Sequence, residues 1–379
     1  MTKVGQGSLE SKVRGALYGG AIGDALGSPA EGKAPAEIQE RYGWIGDFVE
    51  PWAGPSVIGK GDGRFSDDTH MTALLSQIYI EADDHLDIFR FAREIVAKIA
   101  DEPRWVAERG QEMPLIDRLF YPEKWLLMRL RLANADPRLG GVGNMVNCGA
   151  AMYAAPVGIV NAGDPMNAYR EAIEIFSAHQ WSYGLEAAGV LAACVAEAFN
   201  PRATVESVVA TATGLAKEGT RTAITAVVER ARNIADGSDA ISSLREAMRP
   251  YDGAPEKIRD RGNGTDDWTP SRLRAIEELP IALGFLIVAD GDFESAVLGA
   301  VNYGRDSDST AGMVGAIAGA MHGVETIRPA WIHRIKSANR LDVDPLAHDL
   351  AALTRRLQQR RLARDQAHAR LFAVLSASD

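Results

Sequence analysis

The sequence predicts an all-α protein, and three observations carry this prediction. Apolar residues recur at helical spacing in several segments, glycine and proline separate these segments, and no stretch alternates apolar and polar residues for long enough to indicate a sheet. The chain has 379 residues, of which 46% are hydrophobic. A chain of this length can bury its core without disulfides, so we expect Cys148 and Cys194 to be buried and reduced.

The first helical segment is rich in glycine. Four glycines recur at every fourth position from Gly15 to Gly27, which places them on one face of a helix. Because glycine costs about 1 kcal/mol relative to alanine inside a helix, we favour close approach of a second helix as the reason. A phosphate-binding loop is the alternative, although the spacing matches neither a P-loop nor a dinucleotide fingerprint. Glu31 follows in a predicted loop.

Later segments continue the helical pattern. Apolar residues after Asp68 predict an amphipathic helix, and they are Met71, Leu74, Leu75, Ile78 and Tyr79. Residues 166–177, 185–199 and 205–217 show the same pattern, whereas residues 51–63, 103–143 and 251–270 indicate irregular loops. The arginine-rich segment 354–370 indicates a solvated helix face, with a partner-binding helix as the alternative.

Charge and hydropathy narrow the classes of partner. A net charge of -10 argues against nucleic-acid binding. The polar first twelve residues contain no apolar segment of a signal peptide. The longest apolar stretch, residues 279–289, is shorter than the ~20 residues that span a bilayer. We therefore expect a cytoplasmic protein with no membrane or nucleic-acid partner.

Residues 63–72, GRFSDDTHMT, form the first acidic motif. Ser66, Asp67, Asp68 and Thr69 directly precede the amphipathic helix. A serine or aspartate at this position commonly caps a helix, and acidic residues in the first turn suit the helix dipole. One cap explains one residue, so two adjacent carboxylates flanked by two hydroxyl groups suggest an additional role.

Residues 302–312, NYGRDSDSTAG, form the second acidic motif. Asp306, Asp308, Ser309 and Thr310 lead into a helix of small residues. The glycine and glutamate of a calcium-binding EF-hand are missing at their required offsets. Both motifs offer the oxygen ligands that Mg²⁺ and Mn²⁺ prefer, and no Cys/His cluster favours zinc. The residues alone leave metal binding and helix capping equally open.

At these residues the chain resembles the ADP-ribosylglycohydrolase family, which includes the dinitrogenase-reductase-activating glycohydrolases. Residues 23–27, GDALG, followed by Glu31, are similar to the first motif of the family. Residues 66–69 are similar to its Thr-Asp-Asp-Thr, and residues 304–309 to its Gly-Gly-Asp-Thr-Asp-Thr. The resemblance covers nearly the whole chain.

The resemblance implies a single compact orthogonal helical bundle of the ADP-ribosylglycohydrolase type. Residues 1–379 would form one domain, with 354–379 as a C-terminal helical tail. It also implies two Mg²⁺ ions, with Mn²⁺ as the alternative, and hydrolysis at the anomeric carbon of a ribose. The implied catalytic residues are Glu31, Asp67 and Asp68. The implied metal ligands are Ser66, Asp67, Asp68, Asp306, Asp308 and Ser309, with Asp308 bridging the ions.

A substrate side follows from the same resemblance. Residues 141–158, GVGNMVNCGAAMYAAPVG, are similar to the stretch that lines the substrate site in the family. From the residue alone, we favour a hydrogen-bonded core histidine over a substrate-binding residue for His179. Trp181 would either stack on a flat base or simply pack. The residues assigned to substrate binding are Asn147, Gly149, Met152, Tyr153, His179, Trp181 and Arg305.

Departures from the family pattern concentrate on this substrate side. Arg305 replaces a glycine, Tyr153 stands where arginine is frequent, and Cys148 stands where asparagine is common. Ser66 and Ser309 replace threonines and keep the ligand oxygen.

We therefore expect that the hydrolytic chemistry is retained and that it acts on a free NAD-derived or nucleoside-like riboside. A protein de-ADP-ribosylase for arginine- or serine-linked ADP-ribose is the alternative, and a non-catalytic crystallin-like relative is another. A phosphoryl-transfer enzyme is disfavoured because no phosphate loop or catalytic lysine is evident.

Overall fold

The computed structural model describes residues 7–51, 59–234, 239–251 and 273–376. Helices dominate, as predicted, and short 3₁₀ turns and one π-helical segment, Leu127–Leu132, connect several of them. The helices are α1 (Leu9–Gly27), α2 (Pro35–Tyr42), α3 (Asp67–Ala82), α4 (Ile88–Ala100), α5 (Tyr121–Leu126), α6 (Ala155–Val160), α7 (Pro165–Phe176), α8 (Ser182–Ala198), α9 (Val205–Leu215), α10 (Glu218–Arg232), α11 (Ala240–Met248), α12 (Leu273–Val288), α13 (Phe293–Tyr303), α14 (Ser307–His322), α15 (Pro329–Ala338) and α16 (Val343–Ser376).

One β-hairpin departs from the prediction that the chain contains no sheet. Strands β1 (Pro103–Val106) and β2 (Gln111–Pro114) pair antiparallel within the segment that we expected to be irregular. Gly110, at φ +66, closes the turn and donates its N–H to the carbonyl of Val106. Four-residue strands are too short to produce a recognisable alternation of apolar and polar residues, which is why the sequence pattern missed them.

The glycine stripe of α1 packs against α14, which confirms the predicted close approach. A Cβ atom at Gly19 would overlap the carbonyl oxygen of Gly315, and one at Gly15 would overlap that of Gly319. The two helices run antiparallel, so the end of α1 meets the start of α14. There the Oγ of Ser307 donates a hydrogen bond of 2.8 Å to the carbonyl of Gly27. This contact brings the loop after α1 beside the second acidic motif.

The other predicted helices are also confirmed. The apolar face of α3 is buried, and α7, α8 and α9 occupy the three segments with helical spacing. Cys148 and Cys194 are buried and free, as expected. Together these helices form the core around the paired helices α1 and α14.

The C-terminal helix α16 is buried only in its first half. Residues up to Leu357 contribute to the core, whereas residues 362–376 are exposed. Arg356 and Arg360 in its middle pair with Asp83 at the end of α3. Most of the predicted loop 251–270, and part of the loop 51–63, lie outside the described residues. Within the described ranges, we find no helix with the length and apolarity needed to cross a membrane.

Candidate metal centre

The two acidic motifs meet where α3 and α14 begin. The Oγ of Ser309 donates a hydrogen bond of 2.9 Å to the Oδ2 of Asp68, and this bond joins motifs that are 241 residues apart in sequence. Ser66 lies on the other side of the Asp68 carboxylate, with 3.4 Å between its Oγ and the Oδ1. All three side chains are buried. The fold therefore places hydroxyl and carboxylate oxygens of both motifs in one cluster.

Asp24 in α1 holds the first motif in place. Its fully buried carboxylate accepts hydrogen bonds from the backbone N–H of Ser66 at 3.0 Å and of Thr69 at 3.1 Å, and from the Thr69 hydroxyl at 2.6 Å. Burial and then the charge of Asp308 raise the pKa of Asp24 to about 7. The sequence analysis did not include Asp24 in the site. Its position directly after Gly23 in the glycine-rich segment was the available signal.

Helix capping accounts for part of the first motif only. Ser66 is the N-cap of α3, and its Oγ accepts a hydrogen bond of 3.3 Å from the N–H of Asp68. Asp306 occupies the N-cap position of α14, but its side chain makes no capping hydrogen bond. Helix capping therefore does not account for the Asp306 carboxylate.

The loop that carries Glu31 is tied to the segment before α14 by the backbone. The N–H of Gly32 donates to the carbonyl of Arg305, and the N–H of Arg305 donates to the carbonyl of Lys33 at 2.8 Å. Arg305 takes the left-handed conformation, at φ +60, which a non-glycine residue adopts at a cost. As a result, carboxylate oxygens of Glu31, Asp306 and Asp308 lie within 4.8 Å of one another.

Lys60 places a cation in this group of carboxylates. Its ammonium pairs with Glu31 and, at 3.0 Å, with the Oδ2 of Asp308. Burial lowers the pKa of Lys60, but the charges of Asp308 and Glu31 outweigh this effect and raise the pKa overall. The sequence analysis missed Lys60, for which the only signal was a lysine in a glycine-rich segment. Because the ammonium of Lys60 lies against two carboxylates, its position is one that a metal cation would also favour.

Asp67 has a permanent cationic partner. The guanidinium of Arg118 lies 3.1 Å from its Oδ1 and also pairs with Glu108. Burial lowers the pKa of Arg118, and the charges of Asp67 and Glu108 outweigh burial, so the pKa is raised and the group stays charged. No motif in the sequence pointed to Arg118, because its partners lie on segments whose contact depends on the tertiary fold.

A second group of ligand atoms shares Asp306 with the first. Cys148, Glu278 and Asp306 are all buried, and their ligand atoms lie within 4.8 Å of one another. Among the described residues, Asp306 belongs to both groups and Asp308 to one. The resemblance implied that Asp308 bridges two ions, and that assignment stays a prediction. The shared position of Asp306 makes it a second candidate for the bridge.

The electrostatics of the cluster favour a divalent cation. Burial, followed by the charges of Asp308, Asp24 and other neighbouring carboxylates, raises the pKa of Asp68 well above its ordinary value. Burial likewise raises the pKa of Asp308, although Lys60 opposes the shift. Carboxylate and hydroxyl oxygens are the donors that Mg²⁺ and Mn²⁺ accept, so the residues present fit the ions that the resemblance implies.

Three predicted substrate residues lie beside this cluster. Asn147 is half-buried, and its Oδ1 accepts hydrogen bonds from the N–H of Gly149 at 3.0 Å and from the Nε2 of Gln180 at 2.8 Å. Met152 lines a small cavity together with Asp68. Their assignment to substrate binding remains a prediction that the geometry accommodates.

Tyr153 and His179 form a buried pair. The hydroxyl of Tyr153 lies 2.8 Å from the Nδ1 of His179, and the Nε2 lies 3.1 Å from the carbonyl of Pro122. Since a carbonyl only accepts, Nε2 carries the proton and Nδ1 accepts from Tyr153. Burial lowers the pKa of His179 to about 3. These are the contacts of a hydrogen-bonded core histidine, and a role in substrate binding stays a prediction.

Trp181 and Arg305 occupy different environments. The Trp181 ring is 39% exposed, and its Nε1 donates a hydrogen bond of 2.7 Å to the carbonyl of Asn144. The Arg305 side chain is buried and its guanidinium pairs with Glu277, which also accepts from the hydroxyl of Tyr303. The structure therefore brings Trp181 to the surface and places the charge of Arg305 against Glu277.

A family model described as ADP-ribosylglycohydrolase matches residues 6–360 of this chain. The chain belongs to the ADP-ribosylglycohydrolase family. Members of this family are hydrolases, so the resemblance first read from three short motifs is confirmed over nearly the full length. The matched residues include both acidic motifs, Glu31 and the loop that carries Cys148.

Individual relatives agree with this membership. The chain is 26% identical over 350 residues to YegU, an uncharacterized protein of Escherichia coli K12, covering 90% of this chain and 96% of the relative. It is 25% identical over 334 residues to the ADP-ribosylarginine hydrolase Tri1 of Pseudomonas putida, covering 86% and 74%. A solved structure titled ADP-ribosylglycohydrolase-related protein complex has the same fold, with a TM-score of 0.61, 20% identity and coverage of 92% and 98%.

Proposed function

We propose that this protein is a metal-dependent glycoside hydrolase that cleaves an N- or O-glycosidic bond at the anomeric carbon of ADP-ribose or a related riboside. The observation that carries this proposal is the convergence of Glu31, Asp306 and Asp308 within 4.8 Å, in a member of a hydrolase family. The contact between Asp68 and Ser309 adds the first motif to the same cluster.

The proposed cofactor is a pair of Mg²⁺ ions, with Mn²⁺ as the alternative. When bound, the ions would polarise the substrate and lower the pKa of a bound water. The proposed ligands supply hard oxygen atoms from the starts of two helices, where the N-terminal dipoles favour negative charge. They are Ser66, Asp67, Asp68, Asp306, Asp308 and Ser309.

Side chains of the protein would carry out the remaining steps of the reaction. The side chain of Glu31 is 23% exposed, whereas those of Asp67 and Asp308 are 6% and 3% exposed. Glu31 is therefore the carboxylate best placed to accept a proton from water that arrives with the substrate. Arg118 fixes the orientation of Asp67. The remaining negative charge would stabilise the oxocarbenium character that develops at the anomeric carbon.

We further propose a small NAD-derived or nucleoside-like riboside as the substrate of a cytoplasmic enzyme. The departures from the family pattern at Tyr153, Cys148 and Arg305 support a changed aglycone, and the Sγ of Cys148 lies 3.3 Å from the proposed ligand Asp306. An ADP-ribosylated protein is the second candidate, because the relative Tri1 carries the name ADP-ribosylarginine hydrolase. Asn147, Gly149, Met152 and Trp181 would contact the substrate directly.

Mass spectrometry of reaction products distinguishes these substrates. The purified protein is incubated with Mg²⁺ or Mn²⁺ and with ADP-ribosyl-arginine protein, ADP-ribosyl-serine peptide, NAD or nucleosides. Release of free ribose, ADP-ribose or a base from one of them supports the proposal and identifies the aglycone. A protein that binds the ions but yields no glycosidic product from the whole panel would be a non-catalytic relative, and the proposal would be wrong.

A further inference from the structure

Cys148 lies where the apolar core meets the acidic cluster. Its Sγ is 3.3 Å from the Oδ2 of Asp306 and 3.5 Å from the Oγ of Ser309, and both residues are proposed metal ligands. The other cysteine has different surroundings, since the hydrogen-bond partner of the Cys194 Sγ among the described residues is the carbonyl of Val208, at 4.0 Å. The contact with anionic oxygen is thus particular to Cys148.

The separations around Cys148 match those of ligands on one ion. With metal–sulfur bonds of about 2.3 Å and metal–oxygen bonds of about 2.1 Å, sulfur and oxygen ligands lie roughly 3.1 Å apart at a right angle and roughly 3.6 Å apart at a tetrahedral angle. The distances from the Sγ of Cys148 to Asp306 and Ser309 both fall in this interval. Glu278 supplies a further carboxylate within 4.8 Å of the sulfur and of Asp306.

The two ligand groups that share Asp306 differ in chemistry. The group with Glu31 and Asp308 offers only oxygen, and Lys60 already balances part of its charge. The group with Glu278 adds the sulfur of Cys148. Oxygen ligands suit Mg²⁺, whereas a thiolate selects a softer ion such as Zn²⁺ or Co²⁺. Local patterns did not reveal this ligand set, because Cys148 is 158 residues away from Asp306 in sequence.

We propose that Cys148 is a ligand of this metal centre and that the position between Cys148, Glu278 and Asp306 selects a thiophilic divalent ion over Mg²⁺. The inference rests on the proposed function, because Asp306 and Ser309 belong to the proposed centre. A thiophilic ion would then replace one of the two Mg²⁺ ions of the proposed cofactor, and the oxygen-only position beside Glu31 would keep its preference for Mg²⁺ or Mn²⁺.

Binding at this position exchanges a proton for the ion. The S–H bond of Cys148 breaks, a metal–sulfur bond forms, the proton leaves to solvent, and no electrons are transferred. A bound ion makes the thiolate favourable.

Absorption spectroscopy with Co²⁺ tests the assignment, since a thiolate ligand gives a charge-transfer band in the near ultraviolet that oxygen ligands do not give. The full-length wild-type protein, stripped of metal, is titrated with CoCl₂ alongside Cys148→Ser, Cys148→Asn and the matched control Cys194→Ser. We expect the band in the wild type and in Cys194→Ser. We expect no band and a loss of Zn²⁺ affinity of about 100-fold or more in both Cys148 variants.

The Cys194→Ser protein keeps the assignment testable if a Cys148 variant does not fold, because Cys148 is then the only cysteine in the chain. Calorimetry of the same samples separates the two proposals. Co²⁺ binding without the band, or a band that persists in Cys148→Asn, overturns the role of Cys148 and leaves the oxygen-ligand centre standing. Absence of any divalent-ion binding to the wild type overturns both the role of Cys148 and the oxygen-ligand centre.

Discussion

The carboxylate side of the candidate centre and its substrate side differ in how their polar groups are satisfied. On the carboxylate side, Glu31, Asp306 and Asp308 come from two distant segments and direct like charges at one another. On the substrate side, Tyr153 and His179 complete each other's hydrogen bonds within a buried pair. A cluster of anions requires cations, whereas a satisfied hydrogen-bond network requires nothing further.

The cations that the fold itself supplies are of two kinds. Arg118 is buried between Asp67 and Glu108 and belongs permanently to the structure. Lys60 is partly exposed, and it lies across Glu31 and Asp308, where a metal ion would compete with it. The comparison indicates that the second acidic motif is the part of the site that remains open to an exchangeable ion.

Removing the carboxylates of the second motif should have the largest effect. In an Asp306→Asn/Asp308→Asn protein, divalent-ion binding should be lost and turnover should fall by about 10³-fold or more, equivalent to about 4 kcal/mol. Isothermal titration with Mn²⁺ measures the binding. Asp365→Asn, an exposed aspartate on α16, serves as the control and should bind as the wild type does. Unchanged binding in the double variant would place the ions elsewhere.

The buried pair of Tyr153 and His179 should make the stability of the protein depend on pH. The pKa of His179 is about 3 in the folded protein against about 6.5 when unfolded. Below about pH 6.5 the unfolded chain therefore takes up a proton that the folded protein does not. Stability is fully present above this pH and should fall by about 3 kcal/mol between about pH 7.5 and about pH 4.5 because of this group.

Urea unfolding at the two pH values measures this contribution. His179→Gln should be less stable at neutral pH but should lose less stability on acidification than the wild type. His348→Gln, which replaces an exposed histidine on α16, should keep the wild-type dependence. An equal loss in His179→Gln and wild type would show that the buried pair does not resist protonation.

Replacing Lys60, the residue whose ammonium a metal ion would displace, should strengthen metal binding. In Lys60→Met, Glu31 and Asp308 lose their ammonium partner, so Mn²⁺ no longer competes with it and should bind about 10-fold more tightly, a gain of about 1.4 kcal/mol. The control is Lys98→Met, which removes a different paired lysine, one that is buried and contacts the two glutamates Glu81 and Glu102. Weaker Mn²⁺ binding in Lys60→Met would mean that Lys60 supports the ion instead of occupying its position.

The smallest effect should come from the exposed edge of the substrate side. Trp181→Ala removes a partly exposed ring and should raise KM about fivefold, about 1 kcal/mol, with little change in kcat. Steady-state kinetics with the identified substrate measures both constants. Trp44→Ala, at another exposed tryptophan, should leave KM unchanged, and a fall in kcat alone for Trp181→Ala would contradict a binding role.

Local patterns in the sequence determined most of the helical architecture. The apolar spacing after Asp68 predicted α3, and the repeated glycines from Gly15 to Gly27 predicted close helix packing, because both signals depend only on residues a few positions apart. The two acidic motifs were equally visible. The hairpin of β1 and β2 was missed, since strands of four residues leave too short a pattern to recognise.

Only the tertiary structure decided which residues surround the acidic motifs. It placed α14 antiparallel to α1, so that Glu31 reaches Asp308, and it brought Lys60, Arg118 and Cys148 to carboxylates between about 50 and 250 residues away in sequence. The glycine stripe predicted that a helix would pack there, but it did not specify which helix or in which direction. Contacts of this kind depend on how whole helices pack, and local residue spacing carries no information about them.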